Sequence, residues 1–215
     1  MKTWPWRVAV VASAALAIAA GDGWIASHWL FVFKPLTTLL IIAFAWPRGA
    51  DLPGRRRWIR IGLVLSLAGD VALLWPVQGF LPGLLAFLLA HLAYIAAFTR
   101  GVRFAARPAA FAAYALVAGA ILWALWPGIP EALRIPVLAY VACLATMAAQ
   151  AAAVGRVAAL GGALFVCSDA LLATHKFAAP LPLSALWILA TYWTAQGLIA
   201  ASMRRADEVT DSVRT

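Results

Sequence analysis

Apolar blocks recur along almost the whole chain, most of them near the roughly 20 residues that a membrane-spanning helix needs. They are separated by short connections that hold most of the charge. Eight blocks can be drawn, at about residues 6–20, 29–46, 58–75, 80–98, 108–126, 131–150, 157–173 and 183–203. Turn signals fall between them: Gly21-Asp22-Gly23, Pro47-Arg48-Gly49, Pro76-Val77-Gln78-Gly79, Pro127-Gly128-Ile129-Pro130 and Pro180-Leu181-Pro182. The pattern predicts an all-α, polytopic membrane protein with about eight spanning helices. A single transmembrane domain would cover 1–203, leaving a short polar tail at 204–215. The first block also has the form of a secretory signal, with Lys2 and Arg7 before an apolar run and Ala17, Ala19 and Ala20 at its end. It is read here as a retained helix.

Composition narrows the class further. The chain is 65% hydrophobic and 12% charged, with a mean hydropathy of +0.91. A soluble domain is nearer half apolar and a quarter charged, so no separate soluble domain fits. The net charge of +9 reflects topology rather than a polyanionic partner. If the blocks alternate in direction, Lys2, Arg7, Arg48, Arg55, Arg56, Arg57, Arg60, Arg100, Arg103, Arg107, Arg156, Arg204 and Arg205 fall on one side. Only Arg134 and Lys176 fall in the opposite connections, with Asp22 and Glu131. The positive-inside rule then places both termini in the cytoplasm. No basic stripe with interleaved aromatics exists, so nucleic acid is excluded as a partner. Cys143 and Cys167 lie inside apolar blocks and read as packing residues. The Ala-, Arg- and Trp-rich composition suits a bacterial inner membrane.

Two stretches break the apolar rule in the same way. Asp70 follows Gly62 by eight residues and Asp169 follows Gly161 by eight; a small residue precedes each acid and leucines follow it. A carboxylate at membrane depth costs at least about 2.5 kcal/mol, so the pair reads as functional rather than structural. At 1.5 Å per residue from Trp58, Asp70 lies about 18 Å into its helix, past the midplane, with Asp169 about as deep in a parallel one. The shared context hints at a four-plus-four internal duplication, and such proteins often place sites at the repeat interface. Ser66 shares a face with Asp70 and is placed to satisfy it. Lys34 is either a counter-ion or a side chain snorkelling to the interface. His91 and Tyr94 share a face of the fourth block, Ser168 adjoins Asp169, and Tyr192 and Gln196 lie in the eighth. There is no His-Glu-x-x-His or His-x-x-x-His pair, no Gly-x-Ser-x-Gly elbow and no phosphate-cradling glycine loop. No metal or other cofactor is therefore expected. Paired intramembrane acids suit a hydrolase, a proton-coupled transporter or a lipid-binding scaffold alike.

The ordered set Lys34-Pro-Leu-Thr-Thr38, Ser66-x-x-Gly-Asp70, Phe87-x-x-x-His91-x-x-Tyr94, Gly162-Ala-x-x-Phe165-x-x-Ser168-Asp169, Lys176-Phe177 and Ala195-Gln196 resembles the YhhN, or lysoplasmalogenase, family. The resemblance implies eight helices and hydrolysis of the vinyl ether bond of lysoplasmalogens, a lysophospholipid substrate drawn from the membrane lipids. It also implies that Asp70 and Asp169 are essential, with Lys34, Ser66, His91, Tyr94, Ser168, Tyr192 and Gln196 in support. Protonation of the vinyl β-carbon gives an oxocarbenium ion that water captures, which asks for one acid and one negative charge, much as in a glycosidase.

Overall fold

A computed structural model describes residues 4–203. The predicted tail at 204–215 and Lys2 lie outside them. The described residues form eight α-helices and no strand: α1 (Trp4–Gly21), α2 (Leu30–Ala45), α3 (Pro53–Ala72), α4 (Phe80–Phe98), α5 (Pro108–Leu125), α6 (Glu131–Val154), α7 (Arg156–Phe177) and α8 (Ser184–Ala201). Single 3-10 turns, Ser27–Trp29 and Trp126–Gly128, precede α2 and follow α5.

Each apolar block becomes one helix, and the boundaries move for physical reasons. α3 starts five residues before Trp58 because Pro53, with its fixed φ and missing N–H, suits a first helical position. Arg55, Arg56, Arg57 and Arg60 therefore lie on its opening turns rather than in a loop. α6 runs on to Val154, and Gly155 alone separates it from α7. Gly155 has φ of 153°, a conformation open to glycine and strained for a side chain. Five of the segments, Ser27–Ala45, Phe80–Phe98, Pro108–Gly128, Glu131–Val154 and Arg156–Phe177, are long and apolar enough to cross a membrane by length and composition. α3 carries its arginines, and α8 carries Tyr192, Trp193 and Gln196, all buried.

The polarity of the molecule is inverted relative to a water-soluble fold. Leu116, Trp123 and Ile135 stand 75%, 83% and 79% exposed, while Lys34, Thr38, Asp70, His91, Gln150 and Gln196 are buried. With lipid outside, apolar faces are stable there, and polar groups must find partners within the bundle. Gln150 on α6 shows this near one end. Its Nε2 donates to the Phe98 and Arg103 carbonyls, and its Oε1 accepts the Ala105 N–H at 3.0 Å. At the same arginine-rich end, Arg55 on α3 donates to Ser202 after α8. At the opposite end Asp22 accepts the Ala185 and Leu186 N–H groups at 2.9 and 3.1 Å, satisfying two orphan donors at the start of α8.

The helix neighbours repeat between the two halves. α1 packs on α2, α2 on α3 and α3 on α4; α5 packs on α6, α6 on α7 and α7 on α8. Each half also reaches into the other in a matching way, α2 against α8 and α6 against α4. The repeat fails most at one place. α1 packs against α8, whereas α5 makes no packing of that extent with α4. One half is closed by its first helix and the other is left open.

The α3–α4 seam depends on missing side chains. A Cβ at Gly62 would overlap the Tyr94 ring, and one at Gly69 the Phe87 ring. Gly62→Val is expected to cost about 1–3 kcal/mol through overpacking. Gly197→Ala, where a Cβ meets open space, should be neutral or slightly stabilising. Unfolding of the two variants in detergent checks the difference.

Candidate active site

The inverted polarity concentrates at two carboxylates. Asp70 on α3 is 1% exposed. Its Oδ2 accepts Thr38 Oγ1–H from α2 at 2.6 Å and Tyr192 O–H from α8 at 2.8 Å. Lys34 Nζ, one turn before Thr38, lies 3.9 Å from the other oxygen. Asp169 on α7 accepts Tyr140 O–H from α6 at 2.5 Å. His91 Nε2 from α4 lies 3.8 Å from the same oxygen and 3.0 Å from the Tyr140 hydroxyl. Each acid is thus held by the helix that precedes its own and by the helix that follows the other acid. The duplicated neighbours of the fold and the duplicated grip on the acids are one pattern.

The two grips differ in charge and access. Asp70 has an ammonium and two hydroxyls around it, and its side chain is 2% exposed. Asp169 has a phenol and an imidazole, and its side chain is 15% exposed. Both open on one cavity of about 440 Å³, lined by residues of α2 to α8. Its wall is apolar (Leu84, Phe87, Leu122, Val141 and Leu144 among others) apart from a few polar groups, including Lys34, the two aspartates, Tyr140, Ser168 and Tyr192. This space is where an α4–α5 contact would have matched the α1–α8 contact. An apolar cavity with a few convergent polar groups is the usual form of a small-molecule site.

The remaining predicted residues take varied places. Lys34 does not reach the interface: it is 8% exposed and stands as the counter-ion of Asp70. Ser66 is buried one turn from Asp70 on α3, but the partners of that carboxylate are Thr38, Tyr192 and Lys34. Tyr94 turns away from Asp169 and donates to Gln196 Oε1 at 2.6 Å; Gln196 Nε2 donates to the Tyr192 hydroxyl at 3.2 Å. These three form a wire that ends on Asp70. Ser168 lines the cavity with its hydroxyl donated to the Ile188 carbonyl.

Sequence reasoning missed Tyr140 as a site residue, and it passed over Thr38 and Trp193. Trp193 Nε1 donates to Thr38 Oγ1 at 3.1 Å, freeing that hydroxyl to donate to Asp70. A signal was present for Tyr140. The chain has four tyrosines, and a phenol at membrane depth needs a hydrogen-bond partner. Tyr94, Tyr140 and Tyr192 bond within these networks, and Tyr114 lines the cavity. Among the described residues, no three His, Cys, Asp or Glu side chains group to hold a metal ion.

Residues 29–203 match the YhhN family. The chain belongs to that family. The matched span takes in α2 to α8 and every residue that holds the two acids. Similar curated proteins are lysoplasmalogenase TMEM86B of Homo sapiens, 35% identical over 183 residues (84% of this chain, 77% of that protein), and lysoplasmalogenase TMEM86A of Homo sapiens, 34% identical over 168 residues (73% and 69%). A lysoplasmalogenase of Mycobacterium tuberculosis is 29% identical over 228 residues (88% and 87%). No solved structure matches.

The ion pair in this YhhN protein sets a stability test. Lys34→Met leaves a buried carboxylate without its cation, which costs about 3–5 kcal/mol. Adding Asp70→Asn to that variant removes the charge and should recover most of the loss. A double-mutant cycle from chemical unfolding in detergent reads the coupling; additive losses would mean that the two groups do not form a pair.

Proposed function

We propose that this protein hydrolyses the vinyl ether bond of lysoplasmalogens, releasing a fatty aldehyde and a glycerophospho-ethanolamine or -choline. The observation that carries the reading is the pair of carboxylates in unlike surroundings on one apolar cavity, in a chain whose relatives are named lysoplasmalogenases. The cavity suits an alkenyl chain, and the two acids suit the two demands of the reaction.

Asp169 is the proton donor in this mechanism. It has no lysine or arginine paired with it, it is the more open of the two to the cavity, and Tyr140, itself bonded to His91, holds its oxygen. Its proton goes to the vinyl β-carbon, and the ether oxygen's lone pair forms the C=O⁺ bond of an oxocarbenium ion. Asp70, held as an anion by Lys34, Thr38 and Tyr192, faces the developing positive charge. Water then adds to the cationic carbon and gives up a proton to the Asp169 carboxylate. The resulting hemiacetal breaks its bond to the glycerol oxygen, which takes the hydroxyl proton, and the aldehyde leaves. Positioned general acid catalysis contributes about 10²–10⁴-fold, and preorganised charge around the cation adds to it. The transporter reading has no comparable observation in its favour.

The topology proposed with this function is eight spans in a single membrane domain, with both termini cytoplasmic and the tail at 204–215 on that side. The exposed apolar helix faces support the spans. The gathering of arginines at one end supports the orientation. A bacterial inner membrane is the proposed location.

Aldehyde release from a lysoplasmalogen by detergent-purified protein tests the activity. Wild type should release aldehyde at a rate unchanged by a chelator. Asp70→Asn and Asp169→Asn, while still folded, should each lose at least about 100-fold. Turnover by either variant at the wild-type rate would sink the two-carboxylate mechanism, and flux of a solute in proteoliposomes without chemical product would favour the carrier.

The relay gives a finer expectation. Tyr140→Phe removes the hydroxyl that donates to Asp169 and should lower kcat more than Tyr94→Phe, whose hydroxyl reaches Asp70 through two intermediates. Equal effects in single-turnover kinetics would argue against Asp169 as the donor.

A further inference from the structure

One group at the cavity plays no part in the chemistry above. Lys176, in the last turn of α7, lines the same cavity as the acids and is exposed at its edge. Its Nζ lies 3.3 Å from the Pro76 carbonyl, with its ammonium 4.4 Å from the centre of the Phe80 ring. Beside it, His175 also lines the cavity. His175 Nδ1 accepts the Leu181 N–H at 3.0 Å, so the proton of its neutral ring sits on Nε2, a donor. Pro76, Phe80 and Phe177 complete this end of the wall.

Lys176 is seven residues beyond Asp169 on one helix. Seven residues make two turns, so both side chains lie on one face with a rise of about 10 Å between them. In a 1-alkenyl lysophospholipid, seven bonds separate the vinyl β-carbon from the phosphorus. At the ~1.2 Å of advance per bond in an extended chain, they span about 8–9 Å. The two lengths agree.

We infer that Lys176, with His175 beside it, forms a phosphate subsite at the cavity mouth that holds the phosphodiester of the lipid substrate while the vinyl ether lies at Asp169. This rests on the hydrolase reading above. The alkenyl chain then runs past the acids toward Tyr114, Ala118 and Ala145, which line the far part of the cavity on α5 and α6. Lys34 is unsuited to the phosphate, since turning its ammonium to a second anion would leave Asp70 buried and uncompensated. The mouth also needs a cation. The carbonyl end of α7 repels an anion, and Lys176, exposed and held by a single carbonyl, exchanges that partner for a phosphate at little cost. The subsite selects for phospholipids over neutral alkenylglycerols of equal chain length.

The test compares two pairs of ligands on the full chain in detergent. A 1-alkenyl lysophosphoethanolamine and a 1-alkenylglycerol report turnover. Their non-hydrolysable 1-alkyl counterparts report binding, read by intrinsic tryptophan fluorescence. Wild type should prefer the phosphate-bearing member of each pair by about tenfold, the scale of a charge-assisted hydrogen bond at a wet site. Lys176→Met should remove that preference by raising KM and Kd for the phospholipid only, with kcat and both alkylglycerol values unchanged. Lys176→Arg should keep it. A Lys176→Met variant that loses equally on both ligands, or on neither, overturns the subsite and leaves a lysine that serves only to offset the helix end. If no ligand is turned over but the alkyl pair still shows a preference that depends on Lys176, the hydrolase reading fails and the phosphate subsite stands. Inorganic phosphate that weakens phospholipid binding in wild type but not in Lys176→Met separates the headgroup's charge from the rest of the lipid.

Discussion

Two carboxylates within the apolar bundle set the terms for everything around them. A charge in a low-dielectric interior is tolerable only with donors and counter-charge at hydrogen-bond range. Each aspartate draws its partners from two neighbouring helices, and Asp70 draws a lysine as well. Asp70 requires α2 and α8 within reach, and Asp169 requires α6 and α4. Two of those four demands, Tyr192 of α8 on Asp70 and His91 of α4 beside Asp169, tie the first and second halves of the chain together. The glycines of α3 answer the same demand, because α4 comes close enough only where Gly62 and Gly69 leave room for Tyr94 and Phe87.

The helix neighbours of the two halves repeat, and the largest break in that repeat lies at the first helix of each half. α1 closes against α8, while α5 stands away from α4 and leaves the cavity. Asp70 is consequently sealed beside an ammonium, and Asp169 is the acid that meets the cavity more openly. A symmetric pair would be a poor catalyst of a reaction that needs one proton donor and one fixed negative charge. In the proposed mechanism, unequal access and unequal counter-charge give like residues unlike roles.

The hydroxyl groups extend this logic outward. Trp193 orients Thr38, Gln196 orients Tyr192, and Tyr94 orients Gln196. Each donor at the acid is itself fixed by a further bond, which limits the reorganisation needed when charge develops. In the far half of the bundle, His91 packs edge-on to Phe165 and Tyr140, so Asp169 is also approached by groups of restricted motion. That end of the network is sparser, as the proposed role of Asp169 as proton donor requires.

The sequence by itself determined the eight helices and marked the two acids. Both follow from local physics: apolar runs of helical length must fold as helices in lipid, and an isolated carboxylate in such a run is too costly to be incidental. It also held the duplication in outline, through the matched contexts of Asp70 and Asp169. Which side chains met those acids was decided only by tertiary structure. Tyr140 and Thr38 look like ordinary members of apolar helices, and Ser66, the obvious neighbour along α3, is not a partner of Asp70. The reason is geometric: hydrogen bonds at membrane depth form between helices, and the rotation and approach of one helix against another depend on packing along their full length. The sparse packing of α5 on α4 is of the same kind. No residue of α5 announces it, yet it leaves room for the cavity on which two aspartates that the sequence presents alike stand in unlike surroundings.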